Sequence, residues 1–228
     1  MPAHTEIPEF VSAADVGTIL GCTEEQAQDA INHCWRMITL GTSIDALTDD
    51  ITYGTRNFTE APSATQAAEA ANYLVKARRL QIGRLRATGQ LQPSRLSAAF
   101  NELREQEILA LQNFTCCATC ATAEAWDVMS AEPQWRGFVY FHNQDAESLI
   151  NTNQTYIGYD IRLESWYSEA ELTGFTRSER QAAYSNTCIR LANEILRPTF
   201  RAFNIGYKWN NNTDTRMLLS NCDYFAEI

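Results

Sequence analysis

The hydrophobic pattern of the chain changes its period near Glu107, and this change constrains the fold more than any other feature. Before that point, apolar residues recur at helical spacing, as from Ala27 to Ile38 at i, i+3, i+4, i+7, i+8 and i+11. After it, short runs such as Tyr156 to Leu163 place apolar residues at alternate positions, which is typical of strands. A chain that is helical first and mixed afterwards is expected to be an α+β protein.

Helix-start signals divide the N-terminal part of the chain. Thr23 with Gln26, and Ser63 with Gln66, have the spacing of capping boxes and predict two helix starts. Few apolar residues occur in 42–62, so we predict a loop there. We therefore expect residues 1–62 to form a helical N-terminal region that ends in this loop. Residues 63–106 are expected to form a helical connector.

Residues 107–228 are expected to form an α+β unit with one mixed sheet of about five strands, on which the helical N-terminal region packs. Predicted strands cover 108–114, 137–142 and 156–163, and a hairpin joins 204–209 to 216–219. A helix is predicted from Cys116, a short one from Asp145, and a third that begins at a Thr176 capping box and ends at Pro198.

The charge of the chain limits its partners. Twenty-eight acidic and 18 basic side chains give a formal charge of −10, which opposes binding to phosphate backbones. No apolar run is long enough to span a bilayer, and the first ten residues hold no Lys or Arg. We expect a cytoplasmic protein whose partner is another protein, with neither nucleic acid nor membrane as a ligand.

A cysteine cluster is the strongest chemical signal in the sequence. Seven cysteines, an odd number, favour reduced thiols, and three of them crowd together in NFTCCATC as Cys116, Cys117 and Cys120. With Thr115 as the helix cap, their sulfurs would share an arc of about 100° where the helix N-terminus favours the thiolate form. Three alternatives follow: a buried structural cluster, dithiol redox chemistry, or a zinc site with His142 as the fourth ligand.

His142 and Asp145 form a second candidate pair in FHNQD. A carboxylate three residues after an imidazole can orient it for general-base catalysis. The competing interpretation, which we favour, is that Asp145 or Asn143 caps the short helix and that a backbone carbonyl holds His142.

Four segments resemble a family of bacterial proteins classed as a domain of unknown function. They are RLSAAF from Arg95, NFTCCATC from Asn113, GFVYFHNQDAES from Gly137 and YKWNNNTDTRMLL from Tyr207. The resemblance covers roughly residues 93–221 and departs from the family pattern at Ala121 and within Asn210 to Asn212, where the family has glycine. It implies no activity, and it marks six shared positions: Cys116, Cys117, Cys120, His142, Gln144 and Asp145.

Two classes of function follow from these observations. Negative charge, many aromatic residues and the lack of a catalytic signature favour a non-catalytic interaction or regulatory protein, of which a toxin-neutralising immunity protein is one version. The alternative is a thiol-centred or zinc-dependent activity at Cys116, Cys117, Cys120 and His142. The sequence assigns no catalytic residue and leaves open whether the protein is an enzyme.

Overall fold

The computed structural model describes residues 5–54, 58–91, 94–115 and 117–226. As far as these ranges extend, the chain forms two compact units, one of Met1–Gln92 with Phe225–Ile228 and one of Pro93–Tyr224. The three domain ranges expected from the sequence stay a prediction. The α+β class and the mixed sheet of five strands are confirmed.

The first unit is helical. Its helices are α1 (Ala13–Leu20), α2 (Glu24–Thr39), α3 (Ile44–Tyr53) and α4 (Ala64–Ala87). Both capping boxes are present. The hydroxyls of Thr23 and Ser63 each accept the backbone N–H three residues later, and the side-chain oxygens of Gln26 and Gln66 accept the N–H of the cap residue. The core of this unit includes Trp35 and Ile38 of α2 and Leu74 of α4, all of which are buried.

Helix α3 corrects the first half of the loop predicted over 42–62. The Ser43 hydroxyl accepts a hydrogen bond from the Ala46 N–H at 3.2 Å and caps the helix. Leu47 and Ile51 are buried one turn apart. Polar residues surround these two along the helix, so a single buried stripe is sufficient to fix a short helix against the core.

The second unit contains the sheet. Its strands are β1 (Ile108–Leu111), β2 (Gly137–Tyr140), β3 (Gln154–Ile161), β4 (Gly206–Lys208) and β5 (Met217–Ser220). Its helices are α5 (Arg95–Glu105), α6 (Ala118–Ala131), α7 (Asn143–Thr152), α8 (Glu169–Gly174), α9 (Arg177–Arg190) and α10 (Arg197–Ala202). The strand order is β1-β2-β3-β5-β4, with β1 and β2 parallel and the other neighbours antiparallel.

The expectation that Pro198 ends the last long helix is wrong. The chain stays helical from α9 through a π-helical turn at Leu191–Leu196 and on to Ala202. A proline cannot donate to the carbonyl four residues earlier and clashes with it. The wider π turn ends at Leu196, two residues before Pro198, and it shifts the hydrogen bonding so that the proline is accommodated.

We predict that Gly158 cannot be enlarged. It faces Tyr140 across the β2–β3 pair, where an added Cβ would overlap the tyrosine ring. Gly158→Ala should lower the free energy of unfolding by about 1–3 kcal/mol because the core there has no room. Gly83→Ala is the control: its Cβ would meet no atom within 4 Å in α4, so it should raise stability by roughly 0.5–1 kcal/mol.

Chemical denaturation followed by circular dichroism measures both changes. A Gly158→Ala protein as stable as the wild type would contradict the packing of Tyr140 against β3.

Candidate functional site

The two motif segments of the second unit follow β1 and β2, whose carboxyl ends meet at the same edge of the sheet. Backbone hydrogen bonds continue past the strands: Phe141 donates to Leu111 at 3.2 Å, and Phe114 donates to Phe141 at 2.9 Å. The Asn143 N–H then donates to the Thr115 carbonyl at 3.1 Å. The structure therefore brings the segment that carries the cysteines next to the segment that carries His142.

The side chain of Asn143 strengthens this junction. With the amide nitrogen facing the loop, Asn143 Nδ2 lies 2.8 Å from Asn113 Oδ1 and 2.9 Å from the Thr115 carbonyl oxygen. Asn113 and Thr115 have φ values of 48° and 57°, so both are left-handed. Asparagine tolerates this conformation better than most residues, whereas it is uncommon for the β-branched threonine.

The left-handed backbone at Thr115 shows that its expected role as helix cap is wrong. Helix α6 begins at Ala118, and Cys117, in an extended conformation, is its N-cap. A cap residue normally has extended geometry, which Thr115 does not have. The expected helical arc shared by the three cysteines assumed a helix that begins directly after Thr115. Because Cys117 precedes the first helical residue, it does not share a helical arc with Cys120.

The cysteines differ in their environment. Cys116 lies outside the described residues. Cys117 is half-buried at the cap, and Cys120 is exposed in the first turn of α6. Within the described part of the chain, no three His, Cys, Asp or Glu side chains are grouped to hold a metal ion. Since one of the four proposed ligands is Cys116, the zinc site stays a prediction.

Tyr140 anchors the start of α6 to the sheet. Its hydroxyl lies 2.8 Å from Thr122 Oγ1 and donates to the Ala118 carbonyl at 3.2 Å. The ring packs across Gly158 of β3, as described above. The first turn of the cysteine-bearing helix is therefore held by a side chain two residues before His142.

His142 is the N-cap of α7. Its Nδ1 accepts the Asp145 N–H at 3.3 Å, and the Asp145 carboxylate accepts the His142 N–H at 3.4 Å. This is a reciprocal capping box in which histidine takes the place of the usual hydroxyl residue. The expected helix cap is present and Asp145 takes part in it, but His142 is the N-cap residue. The His142 ring contacts the N–H and the carboxylate of Asp145, where a backbone carbonyl is expected from the sequence.

Asp145 is also paired with Arg216, which precedes β5. Arg216 donates to both carboxylate oxygens, through Nη1 to Oδ1 at 3.1 Å and through Nη2 to Oδ2. Nη2 also donates to the Tyr156 carbonyl of β3 at 2.7 Å. The Asp145 side chain is only 10% exposed and that of Arg216 is 33% exposed. A bidentate, largely buried pair of this kind fixes both geometry and charge.

The electrostatic surroundings favour a neutral His142. Burial lowers the pKa of its imidazole, Asp145 opposes this shift, and Arg216 adds to it. A neutral ring can accept a hydrogen bond at Nδ1, as the cap requires, while Nε2 lies 3.0 Å from Asp145 Oδ2. The charge of the Asp145 carboxylate is therefore matched mainly by Arg216.

The six predicted site residues thus fall into separate groups. His142 and Asp145 are brought together and buried, Gln144 is exposed beside them, and the two described cysteines lie at the start of α6. Arg216 was missed, because no local pattern links it to a residue 71 positions earlier. It does lie within the segment from Tyr207 that resembles the family, which was the available signal.

These segments are part of a larger match. The chain matches the family described as Domain of unknown function (DUF6891) over residues 23–224. It belongs to that family. The DUF6891 match starts earlier than the resemblance seen from residue 93, so most of the first unit is included. No curated protein and no solved structure matches the chain.

One further property concerns membranes. Among the described residues, no helix is both long enough and apolar enough to cross a bilayer.

We predict that the Asp145–Arg216 pair stabilises the second unit. Arg216→Met keeps an apolar stem but leaves the largely buried carboxylate without its cation, so the free energy of unfolding should fall by about 1–3 kcal/mol. Arg180→Met is the control, because Arg180 and its partner Glu164 are 52% and 63% exposed, and the change should stay within about 0.5 kcal/mol.

Urea denaturation of the two variants provides the comparison. Adding Asp145→Asn to Arg216→Met should recover part of the loss, since it removes the uncompensated charge. Equal effects of Arg216→Met and Arg180→Met would contradict a stabilising role for the pair.

Proposed function

We propose that this DUF6891 protein is a non-catalytic interaction or regulatory protein of the cytoplasm, of the kind that neutralises or controls another protein. The observation that carries the proposal is the structural role of His142 and Asp145. Both are buried, and their polar atoms cap α7 and bind Arg216. The pair with the best spacing for acid–base chemistry therefore acts as a structural connection.

The charge distribution supports a protein partner with a basic surface. Exposed acidic side chains lie on the three N-terminal helices, at Asp15, Glu24, Glu25, Asp29, Asp45 and Asp49. Arg36 is the exposed base among the described residues of these helices, so negative charge is in excess there. Such an excess attracts a partner of opposite charge and accelerates their encounter. An immunity-type protein that covers a basic toxin is one concrete form of this proposal.

We predict that a partner recovered by cross-linking and affinity purification, and then reconstituted with the purified chain, binds through these acids. The triple variant Glu24→Gln, Glu25→Gln, Asp29→Asn should slow association about three- to tenfold and reduce its dependence on salt. The control has the same charge change in the second unit: Glu105→Gln, Glu124→Gln, Glu147→Gln.

Association rates measured at two salt concentrations distinguish the outcomes. A partner that binds both triple variants and the wild type equally, with no effect of salt, would contradict an acidic docking surface.

A second candidate is dithiol chemistry at Cys117 and Cys120. The observation that favours it is their position: a CxxC pair with one cysteine at the N-cap of α6 and the other exposed in its first turn. The N-terminus of a helix stabilises a thiolate, and α6 follows a parallel strand. In this version the two thiols form a disulfide while oxidised glutathione takes up two electrons and two protons and becomes two molecules of reduced glutathione.

We predict for this candidate that glutathione buffers convert the full-length protein to a species two hydrogens lighter, and that Cys120→Ser abolishes the conversion. Cys188→Ser is the control, because Cys188 is buried and burial raises the pKa of its thiol to about 12. Mass spectrometry after alkylation locates the bond.

Element analysis of protein purified without chelator tests the alternative in which these cysteines bind a metal ion. Stoichiometric zinc that is lost in Cys120→Ser would replace the redox proposal with zinc bound by Cys116, Cys117, Cys120 and His142. Neither a disulfide nor zinc would leave these cysteines as structural residues.

A further inference from the structure

An open cavity of about 640 Å³ lies in the second unit between α10 and the start of β4. Its volume is in the range of small-molecule sites. Its lining includes Arg197, Arg201, Asn204, Gly206, Tyr207 and Asn221.

Two arginines give the cavity its charge. Arg197 and Arg201 are four residues apart on α10, so they project from the same helical face. Within the described residues, neither guanidinium is paired with a carboxylate. Arg95, by contrast, contacts Asp223, and Arg190 contacts Glu194. The cavity therefore holds two cations that no carboxylate in the described part of the chain pairs with, although the net charge of the chain is −10.

Aromatic packing positions the first of these cations. The Arg197 guanidinium lies 5.5 Å from the centroid of the Tyr207 ring, and that ring is stacked on Phe200 at 6.1 Å. Arg197 is half-buried, whereas Arg201 is exposed. A guanidinium held over an aromatic ring keeps its planar donor groups free to bind an anion.

Hydrogen bonds fix Asn221 beside the arginines. Asn221 Nδ2 donates to the Asn204 carbonyl at 2.8 Å, and Arg95 Nη2 donates to the Asn221 carbonyl at 3.0 Å. Asn204 and Asn221 are both left-handed, with φ values of 57° and 55°. These hydrogen bonds hold Asn204 and Asn221 in place as one wall of the cavity. An anion can therefore bind the arginines without a rearrangement of that wall.

We propose that this cavity binds a small phosphate monoester, with the phosphate held by Arg197 and Arg201. Two guanidinium groups match a dianion in charge, and their forked geometry matches phosphate oxygens. The negative charge of the whole chain repels long polyanions, so a small ligand fits the site better than nucleic acid does. This inference is independent of the proposed partner surface, which lies on helices of the other unit.

Calorimetry on the full-length protein tests the proposal with glycerol 2-phosphate and inorganic phosphate, and with glycerol and succinate as comparison ligands. Glycerol 2-phosphate should bind, glycerol should not, and Arg197→Met and Arg201→Met should each weaken binding about tenfold or more. Arg177→Met is the control, since it removes the same charge from an exposed position at the start of α9, outside the cavity.

Asn204→Asp provides a variant that preserves the fold. Aspartate tolerates the left-handed backbone, and its carboxylate would repel the phosphate, so binding should again weaken. Phosphate binding that survives Arg197→Met combined with Arg201→Met, or that Arg177→Met weakens equally, would overturn the proposal. Binding of succinate in the absence of any phosphate binding would overturn the assignment to a phosphate ester.

Discussion

The Asp145 carboxylate connects three parts of the second unit that are distant in sequence. It completes the cap of α7, accepts two donors from Arg216 at the start of β5, and through Arg216 reaches the Tyr156 carbonyl of β3. A carboxylate that is only 10% exposed would be costly without a cation. The Asp145–Arg216 pair therefore requires that β5 and β3 be adjacent when α7 docks. This requirement connects the β4–β5 hairpin to the rest of the sheet.

The parallel pairing of β1 and β2 imposes a second constraint at the same edge. Because the two strands end side by side, the chain leaving each one must turn into its own helix without leaving buried backbone groups unpaired. Asn143 solves this for the β1 loop by contacting Asn113 and Thr115. The left-handed residues of that loop set the position at which α6 can begin, and hence place Cys117 at the cap.

Local signals in the sequence were sufficient for much of the fold. The capping boxes at Thr23, Ser63 and Thr176 mark true helix starts, because a cap depends only on residues three positions apart. Alternation located β3 for a similar reason, and short apolar runs located β1 and β2. Errors arose where backbone conformation or distant partners decide the outcome: the left-handed Thr115 displaced a predicted cap, and the π turn before Pro198 kept a helix continuous.

The candidate site was harder to predict, and the reason is physical. His142 and Asp145 were identifiable as a pair from their spacing, but their role depends on Arg216, which only the antiparallel pairing of β3 with β5 brings near. With that partner in place, two of the six positions shared with the family have a structural explanation. Cys120 is exposed in the first turn of α6, and Cys117 is the N-cap of that helix. His142 and Asp145 therefore fix the helix that follows β2, next to the segment that carries the cysteines.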